Sequence, residues 1–154
     1  MQTVLLTGAS GKIGRGFCAE YLAHYRDQYA LRLGMHDASK ADPRFDDIAE
    51  IEIQDFESML RACRGVDTVV HLAASPDWQA PFCEKLVGPN IDGAYNTFEA
   101  ARQSGCRRVV YASSVHAVMG HPLDFQAHHD DPARPDTMYG VTKVFGESLC
   151  SSFA

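Results

Sequence analysis

This chain of 154 residues predicts an α/β fold, a doubly wound parallel sheet with helices on both faces. Three observations carry that expectation. Five short runs of strand character recur along the chain, separated by segments of helical periodicity or by polar loops. The run at residues 68–72 reads as one covered on both sides, as strands of parallel sheets are. The first run ends in a glycine-rich turn that leads straight into an amphipathic segment. With 45% apolar residues the chain is long enough for one domain with its own core, and no linker, repeat or low-complexity tract divides it.

Charge and cysteine usage narrow the partners. A formal charge of −6 without a basic cluster speaks against nucleic acid and against an anionic membrane surface, which leaves a small molecule as the expected partner. The five cysteines, Cys18, Cys63, Cys83, Cys106 and Cys150, show no CxxC spacing and read as reduced thiols of a cytoplasmic protein. No stretch reaches the roughly 18 apolar residues of a membrane span, and residues 1–6 enter a strand pattern without the basic lead of an export signal.

Residues 3–7 form the first strand, and residues 12–24 carry Ile13, Phe17, Tyr21 and Leu22 at helical spacing. Between them TGASGKIG places Gly8, Gly11 and Gly14 three residues apart, with Ser10, Lys12 and Ile13 on the same turn. Such glycines allow backbone to approach a pyrophosphate closely, and the helix that follows offers free N–H groups and the positive end of its dipole. The spacing differs from GxGxxG, yet its place after a first strand and before a helix points to dinucleotide binding. Tyr29–Met35 reads as the second strand. Asp37 just beyond it is the nearest acid for the adenosine ribose hydroxyls, which favours NAD over NADP without excluding the latter; a solvated Asp opening a turn is the alternative.

Residues 38–47 read as a loop with a short helical turn, and residues 48–53 as the third strand. Asp55 and Phe56 open a helix over residues 57–64, where Asp55 serves as N-cap, as adenine contact, or as both. The fourth strand ends at Leu72, Ala73 and Ala74, small enough at 73 and 74 for a flat ring or phosphate to pass close by. The loop from Ser75 to Pro81, which holds the only tryptophan, Trp78, is a candidate substrate rim. A helix is expected over residues 90–104, with Pro89 at its start and Asn90 as its N-cap or as a contact to strand or ligand. Residues 107–112 form the fifth strand, and Ser113, Ser114, Val115 and His116 follow at its carboxyl end, the ligand edge of an open sheet. His121, His128 and His129 in the loop over residues 119–138 do not read as a metal site, because neighbouring histidines point apart and no zinc spacing accompanies them.

Residues 139–153 then form a last helix, in which Tyr139 and Lys143 are four positions apart and share a face. A cation beside a phenol favours its ionised form and suits it to proton transfer. A surface pair at helical spacing is the plain alternative.

Taken together and in order, TGASGKIG, HLAA, YASS and YGVTK resemble the short-chain dehydrogenase/reductase superfamily in its extended branch of NAD-dependent epimerases and dehydratases. The resemblance implies a Rossmann-type sheet and assigns roles residue by residue. Ser114 would bond the reacting oxygen, Tyr139 would exchange the proton, and Lys143 would lower the tyrosine pKa and bond the nicotinamide ribose. Gly8, Gly11 and Gly14 match the pyrophosphate loop, Asp55 an adenine contact, and Ala73 and Ala74 the strand end bordering the cofactor. Dehydratases of the branch carry Asp-Glu after the serine or threonine, where this chain has Val115 and His116, so elimination of water is not expected.

SSVH and RPDTMYGVTKVFGE look like the uronate dehydrogenase subgroup, in which His116 would match a substrate-contacting histidine. This chain departs from that subgroup at Val115, usually Asn, and at Ala73-Ala74, usually Gly-Gly. The implied substrate is a sugar, sugar acid or sugar nucleotide; a sugar-nucleotide 4-epimerase and a non-catalytic dinucleotide-binding protein are the alternatives. Members of the branch continue beyond the Tyr/Lys helix with further strand and a substrate-binding part, so the chain reads as a C-terminally truncated piece. Apolar surface left by missing neighbours would invite homo-oligomer formation.

Overall fold

The computed structural model describes residues 1–154 and contains five strands: β1 (Gln2–Thr7), β2 (Tyr29–Met35), β3 (Ile48–Glu50), β4 (Thr68–His71) and β5 (Arg108–Tyr111). All pair in parallel, in the order β3-β2-β1-β4-β5. The chain moves outward from β1 to β3 and then crosses back to the other side of β1 with β4. The carboxyl ends of β1 and β4 therefore flank the switch point of the sheet, where open α/β folds take their ligands.

Four helices cover the sheet: α1 (Lys12–Glu20), α2 (Phe56–Ala62), α3 (Gly93–Gln103) and α4 (Met138–Ser152). Strand alternation divides the core between the two faces. Leu5 and Val69, both fully buried, point to one face with Met59 and Ala62 of α2 and Ala100 and Ala101 of α3. Leu6 points to the other with Leu31, Leu33 and Met35 of β2 and Cys18 of α1. Complete burial of each such leucine contributes about 1.5–3 kcal/mol. A third cluster joins α4 to the rest, with Leu149 set against Ala94 and Phe98 of α3 beside Val109 and Tyr111 of β5.

Several boundaries differ from the sequence expectation. The third strand stops at Glu50 rather than 53, because the backbone turns back on itself where Asp55 N–H donates to Glu52 C=O. Residues 12–24 divide into α1 and a π-helical turn, Tyr21–Tyr25. The helix expected to open at Pro89 begins at Phe82: a π-helical segment, Phe82–Asp92, encloses Pro89 and runs directly into α3. Short 3₁₀ turns occupy Ala38–Lys40, the turn expected in that loop, and Val115–Ala117, which was not foreseen. All five cysteines are unpaired, and no helix is long and apolar enough to cross a membrane.

Candidate active site

The crevice at the carboxyl ends of β1 and β4 is built largely of backbone. Gly8 sits at φ +70°, and a Cβ there would lie 2.8 Å from Ala73 N and 2.9 Å from Leu72 C. Only glycine fits both the conformation and the approach of β1 to β4. Gly14 meets the same limit, since a Cβ on it would run into the carbonyls of Gly8 and Ala9. The result is a crevice of roughly 470 Å³ bordered by Gly8, Ser10 and Gly11 after β1, by Met35 and His36 at β2, and by Leu72, Ala73, Ala74 and Ser75 after β4. Its far wall is the turn after β3, with Glu52 and Gln54. At Gly8 and Gly14 the backbone leaves no room for a Cβ, and the crevice lies beside the N-terminal end of α1, where backbone N–H groups favour an anion such as a pyrophosphate.

At the other end of the sheet edge, side chains make the site. Thr137 Oγ1 accepts from Gly140 N–H at 3.0 Å and caps α4, fixing the turn that carries Tyr139. Tyr139 is 9% exposed and Lys143 5%, so the two are not a surface pair. Lys143 Nζ donates to Ala112 C=O at 3.0 Å, just past β5, and lies 5.1 Å from the ring centre of Tyr111 and 5.5 Å from that of Tyr139. Burial lowers the Lys143 ammonium to about 8. Burial also pushes the Tyr111 phenol up.

His71 lies beneath this group and is 2% exposed, with its ring stacked on Tyr111 at 5.9 Å. Burial, and then the charge of Lys143, hold its imidazole down at about 3, so it is neutral. Thr7 Oγ1 lies 2.8 Å from His71 Nδ1 and accepts from Leu72 N–H at 3.2 Å and Ala73 N–H at 3.3 Å. Its own hydroxyl proton is thus directed to Nδ1, which places the ring proton on Nε2. The histidine is a strut between β1 and the strand end that borders the crevice.

A further group of side chains gathers around His116. Its Nδ1 lies 2.9 and 3.1 Å from the two carboxylate oxygens of Asp136. The Trp78 indole stacks on it at 5.7 Å and 17°, and Tyr139 meets it edge-on at 5.7 Å and 83°. Ser114 Oγ accepts from His116 N–H at 3.3 Å, which fixes the 3₁₀ turn after β5, while Ser113 Oγ is hydrogen-bonded to Glu147. Val115 is 67% exposed.

Most of the residues singled out in the sequence fall into two sets, and the others lie outside both. Gly8, Ser10, Gly11, Leu72, Ala73, Ala74 and Ser75 border the crevice, and Ser114, His116, Tyr139 and Lys143 form the second cluster. Lys12 and Ile13 are exposed on α1. Asp37 caps a 3₁₀ turn, with Ser39 N–H and Ser39 Oγ donating to its carboxylate at 3.0 and 2.6 Å and Lys40 Nζ at 3.0 Å. Asp55 caps α2 through Glu57 N–H, and Phe56 packs against the core. Asn90 is a brace: it accepts from Ser75 N–H at 2.7 Å and donates to Ser75 C=O and Thr142 Oγ1, both at 3.1 Å. Sequence reasoning missed Asp136, His36 and Glu52. Asp136 is 20 residues from His116, and no local pattern links them.

The NAD dependent epimerase/dehydratase family matches residues 4–154. The chain is 37% identical over 153 residues to uronate dehydrogenase of Agrobacterium fabrum, with 99% of this chain and 56% of that protein covered. The solved structure of uronate dehydrogenase from Agrobacterium tumefaciens superposes with a TM-score of 0.86 at 34% identity, over 99% of this chain and 56% of that one. UDP-glucose 4-epimerase of Thermus thermophilus, solved in complex with NAD, reaches 0.86 at 25% identity over 99% of this chain and 50% of that one. The chain spans about half the length of the curated relatives it matches.

Proposed function

The chain belongs to the NAD dependent epimerase/dehydratase family, and on that premise we propose that it is the dinucleotide-binding and proton-transfer part of an NAD-dependent oxidoreductase acting on a hydroxyl of a sugar or sugar acid, as uronate dehydrogenase does. The observation that carries the reading is the buried Tyr139–Lys143 pair at the carboxyl end of β5, beside the strand whose end borders the glycine-lined crevice. NAD, when bound, supplies the acceptor for a hydride. Tyr139 takes the proton of the substrate hydroxyl, and Ser114 holds the oxygen. Lys143, kept in place by Ala112 C=O, compensates the negative charge left as that proton moves. Asp136 orients the His116 ring, which presents its remaining nitrogen to a sugar hydroxyl or carboxylate.

Val115 and His116 after the serine support oxidation over elimination, since the Asp-Glu pair of the dehydratases does not stand at these positions. A sugar-nucleotide 4-epimerase uses the same residues and returns the hydride to the substrate; the fit to the Thermus thermophilus enzyme supports it as a second reading. The test is Tyr139→Phe in the full-length protein. Turnover should fall by about 10²–10⁴, the usual contribution of a positioned acid–base group, with NAD binding by calorimetry unchanged. Turnover retained within tenfold would sink the reading. Accumulation of NADH with a free sugar acid separates dehydrogenase from epimerase.

A further inference from the structure

Selection between NAD and NADP, which rests on the cofactor reading above, has a different seat from the one the sequence suggests. We infer that Glu52, in the turn after β3, and not Asp37, is the carboxylate that selects NAD in this chain. Among the residues bordering the crevice Glu52 is the only acid, and His36 the only side chain able to carry a positive charge. Met35, at the end of β2, is apolar and 4% exposed. Asp37 is absent from the crevice and already occupied by Ser39 and Lys40.

The turn that carries Glu52 is held on every side. Glu52 N–H donates to Ser58 Oγ at 3.1 Å, and its Oε1 accepts from Gln54 N–H at 3.0 Å. Asn96 Nδ2 donates to the carbonyls of Ile53 and Gln54 at 3.1 and 3.0 Å. The Gln54 side chain lies directly over Gly88, where a Cβ would displace it. The carboxylate is thereby presented at the crevice wall, with its second oxygen 3.6 Å from His36 Nδ1.

Two effects follow from that placement. A carboxylate accepts hydrogen bonds from ribose hydroxyls and repels a 2′-phosphate dianion. Glu52 also engages His36, the one side chain at the crevice that could otherwise pair with such a phosphate. Removal of its charge eliminates the repulsion and releases His36 together.

Glu52→Gln keeps the shape and the acceptor for Gln54 N–H while removing the charge, and the Glu52 side chain is 44% exposed, so the fold should survive. Calorimetric titration of the full-length protein with NAD and with NADP gives the readout, with no turnover required. Wild type should prefer NAD, Glu52→Gln should lower the NAD-to-NADP affinity ratio at least tenfold, and Asp37→Asn should leave it within twofold. An unchanged ratio in Glu52→Gln, a tenfold fall in Asp37→Asn, or equal affinities in wild type would each overturn the inference. If wild type bound neither dinucleotide, the cofactor reading itself would fail.

Discussion

At the carboxyl ends of β1 and β4 the candidate site is built of backbone, and at the carboxyl end of β5 of side chains. Gly8 and Gly14 bring main chain so close to main chain that no Cβ fits between. Tyr139, Lys143, His116 and Asp136 instead converge from a helix, a 3₁₀ turn and the loop before α4. The contrast teaches where each half is vulnerable. The backbone half fails when an atom is added, and the side-chain half when a proton is moved.

Gly14→Val is the strongest challenge to that contrast. Its side chain would be driven into the Gly8 and Ala9 carbonyls, so calorimetry should show NAD binding weakened by more than about 100-fold, with thermal stability lowered as overpacked sites are. Binding within tenfold of wild type would show that the loop yields and that backbone approach does not define this half.

Next in size is the alkaline side of the pH profile. In the proposed mechanism Lys143 serves as a cation, and burial lowers it to about 8, so turnover should fall about tenfold per pH unit above that value. Stability should move the other way. Between about 8 and the unfolded value near 10.4 the unfolded chain holds the proton and the folded chain does not, so unfolding free energy rises by at most roughly 1.4 kcal/mol per pH unit. Lys143→Met should abolish both trends. Activity and stability falling together in this window would remove Lys143 as their common origin.

The acid side tests the strut beneath the pair. His71 is held neutral down to about 3, whereas an unfolded histidine protonates near 6.5. Protons bind preferentially to the unfolded chain in this window. Stability is therefore full above about 6.5 and declines as pH falls toward 3, by at most roughly 1.4 kcal/mol per unit from this residue. Urea denaturation of wild type and His71→Gln at several pH values checks this; parallel curves would show that the strut does not titrate on unfolding.

Much of the fold was legible in the sequence because each strand run announces itself and Gly8 marks the first turn. The segment at Phe82–Asp92 was not, since wide π turns blur the 3.6-residue period and Pro89 reads as a helix opener when it is taken without its neighbours. Tyr139 and Lys143 were visible because one helix carries both. Asp136, His36 and Glu52 were hidden because each acts on a residue brought near by tertiary structure. Asp37 is a different case: the sequence offers it for the ribose by its distance along the chain, and in the fold a local turn engages its carboxylate, as short polar side chains commonly do.

The indole stacked on His116 gives the molecule its own optical probe. Trp78 is the one tryptophan in these 154 residues, and it lies against the imidazole of His116. Its emission therefore reports on whatever displaces or covers that ring. A sugar seated against His116 would change the colour and intensity of the light from a single, known position, without a label.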